Sequence, residues 1–503
     1  MADEWTLTAL LARAGVSPMS GQSHRDIPIT TITDDSRKAE PGALFVAVRG
    51  IKSDGHHYID AAVSAGSVAV VVDRDVPVPP GVVEVRVPDS REALARLAAA
   101  YYGLRGDGGG GPRLIGITGT NGKTTVAWIL RSILRAAGYR VALLGTVEYE
   151  LSGRRMSAPL TTPAPLELCR HLAAARDAGA DYAVMEASSH ALDQRRTDGL
   201  TFAAGVFTNL SGDHLDYHGS MESYWRAKRR LFELLPADAV AVVNRDDPVA
   251  DLMVANIAAR VVSFGIDAVG ADSRAIVKTI DSSGCVFTLR GPTVEVPVRS
   301  ALVGRHNVAN ALAAATTAEA CGISVDAICA GIEQLLAVPG RLQRVEPEGC
   351  PFSVFVDYAH TDDALRNVLQ TLKTLTSGRL ICVFGCGGNR DHSKRPRMAE
   401  VVGQIADLAF VTSDNPRTED PRQIIEEMLP GFRSTPRCRV EVQVDRRRAI
   451  EAAISQAQPG DTVLVAGKGH EDYQLIGDKV LHFDDVEVAR ACLDPAPAAG
   501  ATR

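Results

Sequence analysis

The sequence predicts an α/β protein of three domains. Three observations carry that expectation: short apolar runs that alternate with amphipathic stretches, two breaks in the rhythm, and a glycine-rich turn between a strand and a helix. At 503 residues the chain has room for about three domains, and 46% hydrophobic with 23% charged residues is ordinary globular composition. The first break, Gly106-Asp-Gly-Gly-Gly-Gly-Pro112, is a flexible joint that closes an N-terminal α/β domain at residue 105. Beyond it, strands are expected at Leu114 to Thr118, Val141 to Leu144, Tyr182 to Met185, Val206 to Thr208 and Ala239 to Val243, with helices between. A helix of alanine and leucine from Asn307 to Cys321 precedes the second joint, Ala337-Val-Pro-Gly340. Residues 112–338 therefore form a central domain with a mostly parallel sheet. The remainder, 339–494, repeats the rhythm at Val354 to Asp357, Leu380 to Phe384, Leu408 to Thr412 and Thr462 to Ala466, an open Rossmann-like sheet. The Ala/Pro-rich tail, 495–503, is expected to be disordered.

The stretch Gly116-Ile-Thr-Gly-Thr-Asn-Gly-Lys-Thr-Thr125 makes the central domain one of the P-loop ATPase type. The strand Leu114 to Thr118 leads into it, and Val126, Ile129, Leu130, Ile133 and Leu134 follow at helical spacing. A helix thus opens at the glycines, where unpaired N–H groups and the positive end of the helix dipole meet an anion. Gly119 and Gly122 permit positive φ and close approach, Lys123 can reach β and γ phosphates, and the Thr124 hydroxyl can ligate Mg²⁺. A nucleoside triphosphate is the expected ligand. The strict pattern has glycine where Ile117 stands, with Gly116 one residue early, so the loop is a variant.

Charge and cysteine usage exclude other classes. The net charge, 54 − 61 = −7, comes without a long basic run, so nucleic acid is not an expected partner. The N-terminus has no basic start followed by an apolar core, and no apolar run approaches the ~20 residues that span a bilayer, so a cytoplasmic protein without membrane insertion is expected. Nine scattered cysteines lack paired metal spacing; reduced, mostly buried thiols are expected.

Six motifs in order, Gly119-Thr-Asn-Gly-Lys-Thr-Thr125, Glu186-Ala-Ser-Ser-His190, Thr208-Asn-Leu-Ser-Gly-Asp-His-Leu-Asp216, Gly304-Arg-His-Asn307, Asp357-Tyr-Ala-His360 and Gly467-Lys-Gly-His-Glu471, resemble the Mur ligase family along essentially the whole chain. The resemblance implies an ATP-dependent amide ligase. A substrate carboxylate takes the γ phosphate of ATP, and an amine then displaces phosphate from the acyl phosphate. Positioning and charge neutralisation, by Lys123 and Mg²⁺, are the protein's main tasks.

The resemblance assigns the ATP site to Gly119, Thr120, Asn121, Gly122, Lys123, Thr124 and Thr125, with Asn307 near the adenine and Arg341 and Asp357 closing over phosphates and ribose. Tyr358 and His360 line the same edge, and Asp362 stands where the family usually has proline. It assigns catalysis to Lys123, Glu186, His214 and Lys228, and metal binding to Thr124, Glu186, His214 and a CO₂-derived carbamate on Lys228, with His190 secondary. Locally, Glu186 sits just beyond the expected strand Tyr182 to Met185, where open α/β sheets put their ligands, with a solvated strand end as the lesser alternative, while His214 could equally be a capping or packed histidine. Lys228 by itself is one cation among Arg226, Arg229 and Arg230, a solvated basic face.

The first domain is implied to bind a UDP-N-acetylmuramoyl dipeptide through Asp34, Ser36, Ile51, Lys52 and Ser53, with Thr161, Thr162, Ser188, Gln194 and Arg196 holding the peptide. Asp-Ser-Arg alone is just a polar turn. Family members that add meso-diaminopimelate carry Asp414-Asn-Pro-Arg417, while lysine-adding members generally lack its arginine. Arg390 and Arg417 can pair with the second carboxylate that lysine lacks, and Asp414 or Glu471 can take the ammonium. Asn415, Pro416 and Gly467 complete that set, for which a surface loop is the bland reading. A monomer is expected. Two other classes fit part of the pattern: an amide ligase of the same fold such as a folylpolyglutamate synthetase, and a protein that binds ATP and precursor without ligating them.

Overall fold

The computed structural model describes residues 5–19, 25–50, 53–105, 111–151, 153–292, 295–347, 349–435 and 437–493. Most of the glycine joint, Ile51, Lys52 and the tail 495–503 lie outside them. The chain forms two compact units, one built mainly from residues 1–274 with 310–331, the other mainly from 332–503 with 275–290 and 295–309.

The first unit holds two sheets. The smaller is parallel, in the order Thr31–Thr33, Ala43–Val46, Ser67–Val72, Val83–Arg86. Its strands are buried on both faces because successive side chains point to opposite sides. Leu44, Val46, Ala69 and Val71 pack with the helices Leu7–Ala14 and Ser90–Tyr101, while Phe45, Val70 and Val72 pack with Ile59–Ser64.

The larger sheet runs Arg154–Ser157, Glu148–Leu151, Val141–Leu144, Tyr182–Glu186, Arg113–Thr118, Phe202–Phe207, Val240–Asn244, Arg260–Gly265, then the first residues of Ser273–Asp281. It is parallel from Val141–Leu144 onward; the two edge strands before it form an antiparallel extension. The strand order reverses around Arg113–Thr118, so the carboxyl ends of this strand and its neighbours form the crevice where open α/β sheets bind ligands. Gly116 lies mid-strand, where a Cβ would stand 2.8 Å from both Leu231 and Phe202. The displaced glycine of the loop motif is therefore a packing glycine. It lets the helix Met221–Glu233 lie directly on the strand.

Several expected boundaries move by one to a few residues, the strand expected at Val206 to Thr208 running Phe202–Phe207, and two of the shifts lie beside the glycine loop. The P-loop helix begins at Lys123, because Gly122 at φ +87° turns the chain straight into it. Glu186 is the last residue of its strand, paired with Ile117, rather than a residue beyond it.

The second unit is built on a six-stranded sheet, Gln343–Arg344, Ser353–Asp357, Thr462–Ala466, Leu380–Phe384, Leu408–Val411, Arg439–Val442, parallel except for its first edge. Asp362–Leu375, Lys394–Ile405 and Pro421–Met428 cover one face, Arg446–Ser455 and Asp485–Leu493 the other. All nine cysteines are free thiols, five of them buried.

Arg446 and Asp485 form a fully buried pair, Nη2 to Oδ2 at 2.6 Å and Nε to Oδ1 at 2.8 Å, and Arg446 also donates to the carbonyls of Ser413 and Ala466. Removing one partner strands a charge out of water. Asp485→Ala is expected to lower the stability of the second unit by about 3–5 kcal/mol in urea unfolding, whereas a loss below about 1 kcal/mol would mean that the pair is energetically neutral.

Candidate active site

The glycine loop is held from outside by the segment after the strand Phe202–Phe207. Thr120 N donates to Asn209 O at 2.8 Å, Asn121 N to Asn209 Oδ1 at 3.0 Å, and Thr208 Oγ1 to Asn121 O at 2.6 Å. Ser211 N donates to Thr120 Oγ1, which also meets the Tyr224 hydroxyl at 3.1 Å. Gly119, at φ +144°, leaves no room for a side chain, since a Cβ would overlap Thr208 Oγ1. Lys123 Nζ donates to Gly119 O and Thr120 O at 3.0 and 2.9 Å, so its ammonium lies over the loop. Thr125 is buried in the first turn of the helix.

Glu186 is buried and ionisable, and its oxygens collect three donors: Thr124 Oγ1 at 3.1 Å, Thr146 N at 2.8 Å and Thr146 Oγ1 at 3.0 Å. A carboxylate beside a threonine hydroxyl is the hard-oxygen set that Mg²⁺ takes, so these residues fit that ion. The solvated strand-end alternative for Glu186 is excluded by its 1% exposure.

Lys228 overturns its local reading more sharply. It is 1% exposed, on the same helical stripe as Tyr224, Ala227, Leu231 and Phe232, while Arg226 points to solvent and Arg230 pairs with Asp198. Its Nζ donates to Gly119 O at 2.7 Å and lies 4.3 Å from the Tyr224 ring. Burial, reinforced by the Lys123 charge, holds its pKa well below that of an ordinary lysine. His214, at φ +53°, precedes the turn Leu215–His218 without a side-chain cap bond. Its ring packs edge-on against His190, and partial burial with the charges of Lys123 and Lys228 lowers its pKa against the pull of Asp213. His190 is pushed down to about 4, by burial and then by its neighbours His214 and His218.

The residues expected to hold a peptide adjoin this centre. Thr161 Oγ1 meets Thr146 Oγ1 at 3.1 Å, Thr162 Oγ1 donates to Glu186 O at 2.7 Å, and Ser188 N donates to Thr162 Oγ1. Arg196 donates to Thr162 O and to Gln194 Oε1, and Gln194 donates to the Tyr217 hydroxyl. Burial lowers the Arg196 pKa. Asp34, Ser36 and Ser53 occupy turns that follow the strands Thr31–Thr33 and Ala43–Val46. Ser36 opens a short 3-10 turn capped by Asp35, and Ser53 O accepts from Gly50 N. Ile51 and Lys52 lie outside the described residues.

In the second unit, Asp357 ends its strand and accepts from Leu342 N at 2.6 Å and Ala359 N at 2.8 Å; burial raises its pKa. Arg341 stacks over the Tyr358 ring at 4.8 Å, and His360 lies against the same ring. Asn307 Nδ2 donates to Val303 O. Asp362 begins a helix capped by Thr361, so the turn is fixed by a side-chain cap and an acidic first residue in place of proline.

Asp414 and Asn415 are buried, which removes the surface-loop reading. Asn415 Nδ2 donates to Glu471 Oε2 at 2.8 Å, Gly467 at φ +118° lies so close that a Cβ would stand 2.6 Å from Asp414 Oδ2, and Arg417 Nη1 donates to Gly388 O. Pro416 is buried; Arg390 is exposed on the adjoining loop. Burial and Asp414 together raise the Glu471 pKa.

Three contributors were not singled out from sequence: Thr146, Asn209 and Tyr217. Thr146 follows a parallel strand, which is a signal; the roles of Asn209 and Tyr217 depend on partners far along the chain. Gly119→Ala is expected to weaken ADP binding about tenfold or more in calorimetric titration, through strain of about 1–3 kcal/mol in the loop. Unchanged affinity would mean that the loop does not cradle the phosphates.

Family models match three stretches: the Mur ligase family catalytic domain over residues 28–102, the Mur ligase middle domain over 117–318, and the Mur ligase glutamate ligase domain over 340–469. A relative from Geobacter metallireducens, named UDP-N-acetylmuramoyl-L-alanyl-D-glutamate--2,6-diaminopimelate ligase, is 46% identical over 96% of this chain and 97% of its own length. A solved structure of an enzyme with that name superposes with a TM-score of 0.69 at 36% identity, covering 93% of this chain and 95% of the other. The folylpolyglutamate synthase of Mycobacterium tuberculosis shares the fold alone, at 21% identity and a TM-score of 0.61, over 81% of this chain and 96% of that one. On the three matched models and the near-full-length similarity, the chain belongs to the Mur ligase family.

Proposed function

We propose that the protein is the ATP-dependent ligase that adds meso-2,6-diaminopimelate to UDP-N-acetylmuramoyl-L-alanyl-D-glutamate, giving ADP and phosphate in peptidoglycan precursor synthesis. The observation that carries the choice of amine is the gathering of Asp414, Asn415, Arg417, Gly467 and Glu471 at the strand ends of one sheet, in a chain 46% identical to a relative of that name. The arrangement offers anions for an ammonium and an arginine fork for a carboxylate. Lysine would offer the arginines no second carboxylate to pair with.

On this reading residues 1–105 bind the uridine end of the acceptor through Asp34, Ser36, Ile51, Lys52 and Ser53. Residues 112–338 bind ATP, and 339–494 bind the amino acid. Thr161, Thr162, Ser188, Gln194 and Arg196 hold the acceptor peptide so that its carboxylate faces the γ phosphate. Lys123 turns from the loop carbonyls to the β and γ phosphates, and the N–H groups at the start of the helix Lys123–Ala136 face the same oxygens. Asn307, Arg341 and Asp357 contact the nucleotide. Thr124 and Glu186 would hold one Mg²⁺, and His214 with carbamylated Lys228 a second, whose charge would neutralise that of the transferring phosphoryl group. The carbamate forms when the neutral Lys228 amine adds to CO₂ and loses a proton, which the low amine pKa favours. The cytoplasm and a monomeric state complete the reading; among the described residues no helix is long and apolar enough to cross a membrane.

Phosphate release with ATP, Mg²⁺ and the UDP-dipeptide should depend on meso-diaminopimelate and be far lower with L-lysine. Release with lysine alone would keep the ligase and discard the assignment of Arg390 and Arg417; release with neither would leave a binding protein. Lys228→Ala should lose activity by about two orders of magnitude or more, and added formate or acetate should restore part of it by supplying the missing carboxylate. No rescue at any concentration would count against the carbamate.

A further inference from the structure

The two loops that carry Arg390 and Arg417 are one hydrogen-bonded body, and its pin is a carboxylate outside the amine-binding set. Glu419 Oε1 accepts from Asn389 N, immediately before Arg390, while Glu419 Oε2 accepts from Arg395 Nη2 at 2.9 Å. Asn389 Oδ1 returns the link, accepting from Thr418 N at 3.2 Å and Thr418 Oγ1 at 2.9 Å, immediately after Arg417. Gly388 N donates to Asn415 O at 2.9 Å, and Arg417 Nη1 to Gly388 O at 2.8 Å. The approach is close enough that a Cβ on Gly388 would overlap Pro416 O.

Both loops also pass through the left-handed region at residues other than glycine, Asn389 at φ +53° and Arg417 at φ +55°. Such conformations persist only where surrounding contacts impose them. For Asn389 the contacts are the bonds between the loops; the backbone of Arg417 is held as well from the strand Tyr473–Ile476 and the turn after it, its N–H donating to Leu475 O at 2.9 Å and its carbonyl accepting from Gly477 N at 2.6 Å. Arg395 anchors the set from below: it is 0% exposed, at the start of the helix Lys394–Ile405, and its Nη1 reaches Glu427 Oε2 at 2.8 Å on the helix Pro421–Met428. The Arg417 guanidinium lies 3.0 Å from a Cβ position on Gly387, and the Arg390 side chain lies 3.8 Å from the same point.

We infer that Glu419 is a positioning residue for amine selection: by joining Asn389 to Arg395 it fixes the spacing of Arg390 and Arg417, and so the fit to an amino acid with a second carboxylate. This rests on the proposed diaminopimelate reading and deepens it. A bidentate fork discriminates only while its two arms keep their separation. With the pin removed, each arginine remains charged and present, but the pair no longer has one geometry.

The test compares wild type, Glu419→Gln and Glu419→Asp in phosphate release with meso-diaminopimelate and with L-lysine. Glu419→Asp keeps a carboxylate for the buried Arg395 but is one methylene too short to span both Arg395 and Asn389 N, so it covers the case in which the glutamine variant does not fold. KM for diaminopimelate should rise on the order of 10-fold to 100-fold in both variants, with KM for ATP unchanged and the ratio of kcat/KM for diaminopimelate over lysine falling. A purely structural role would lower active enzyme without changing that ratio, and an unchanged ratio in a folded Glu419→Gln or Glu419→Asp variant overturns the inference. A wild type that does not use diaminopimelate refutes the underlying reading instead, so the two failures are distinct.

Discussion

The carbonyl oxygen of Gly119 accepts from two lysines, Lys123 at 3.0 Å and Lys228 at 2.7 Å, and the chemistry of the first unit depends on that crowding. Two ammonium groups on one acceptor repel each other, and one of them is sealed from water. The buried one is destabilised as a cation even with the Tyr224 ring face beside it. A phosphate-binding loop is thereby joined to a lysine whose amine is available for chemistry. Burial lowers the His214 pKa, and the charges of the two lysines add to it against the pull of Asp213.

The parallel sheet makes this convergence possible. Glu186, Thr146 and the loop from Gly119 to Lys123 arrive from neighbouring strands whose carboxyl ends open on the same side, so their side chains meet without long detours of the backbone. Gly116 contributes by packing: its missing side chain brings the helix of Lys228 down onto the loop strand. The second unit repeats the principle. Asp357, Asp414 and Gly467 follow or end parallel strands of one sheet, and the buried Arg446 ties the carbonyls of Ser413 and Ala466 to Asp485 beneath them.

Much of the fold was legible in the sequence because strands buried on both faces are continuous apolar runs and the helices between them are amphipathic. Strand ends were less legible. Glu186 looks like a residue past its strand because a carboxylate breaks the apolar run, yet the backbone pairing continues through it to Ile117. The candidate site was legible where a local pattern encodes it, as in the glycines before Lys123 and the Asp414 to Arg417 run. It was illegible for Asn209, which bonds to the loop 88 residues away in sequence, and for Glu419, whose partner Asn389 is 30 residues away.

The sequence by itself determined the succession of strand, glycine turn and helix, the residue types that a phosphate and a hard cation require, and the family resemblance. These are properties of near neighbours along the chain, where backbone conformation and side-chain chemistry suffice. Only the tertiary structure decided which charges are buried. Lys228 and Arg226 are two residues apart on one helix, and one is 1% exposed while the other faces solvent. Their difference comes from the strand beneath the helix and from a carbonyl 109 residues earlier, since desolvation is set by everything that packs around a group and not by its position in the chain.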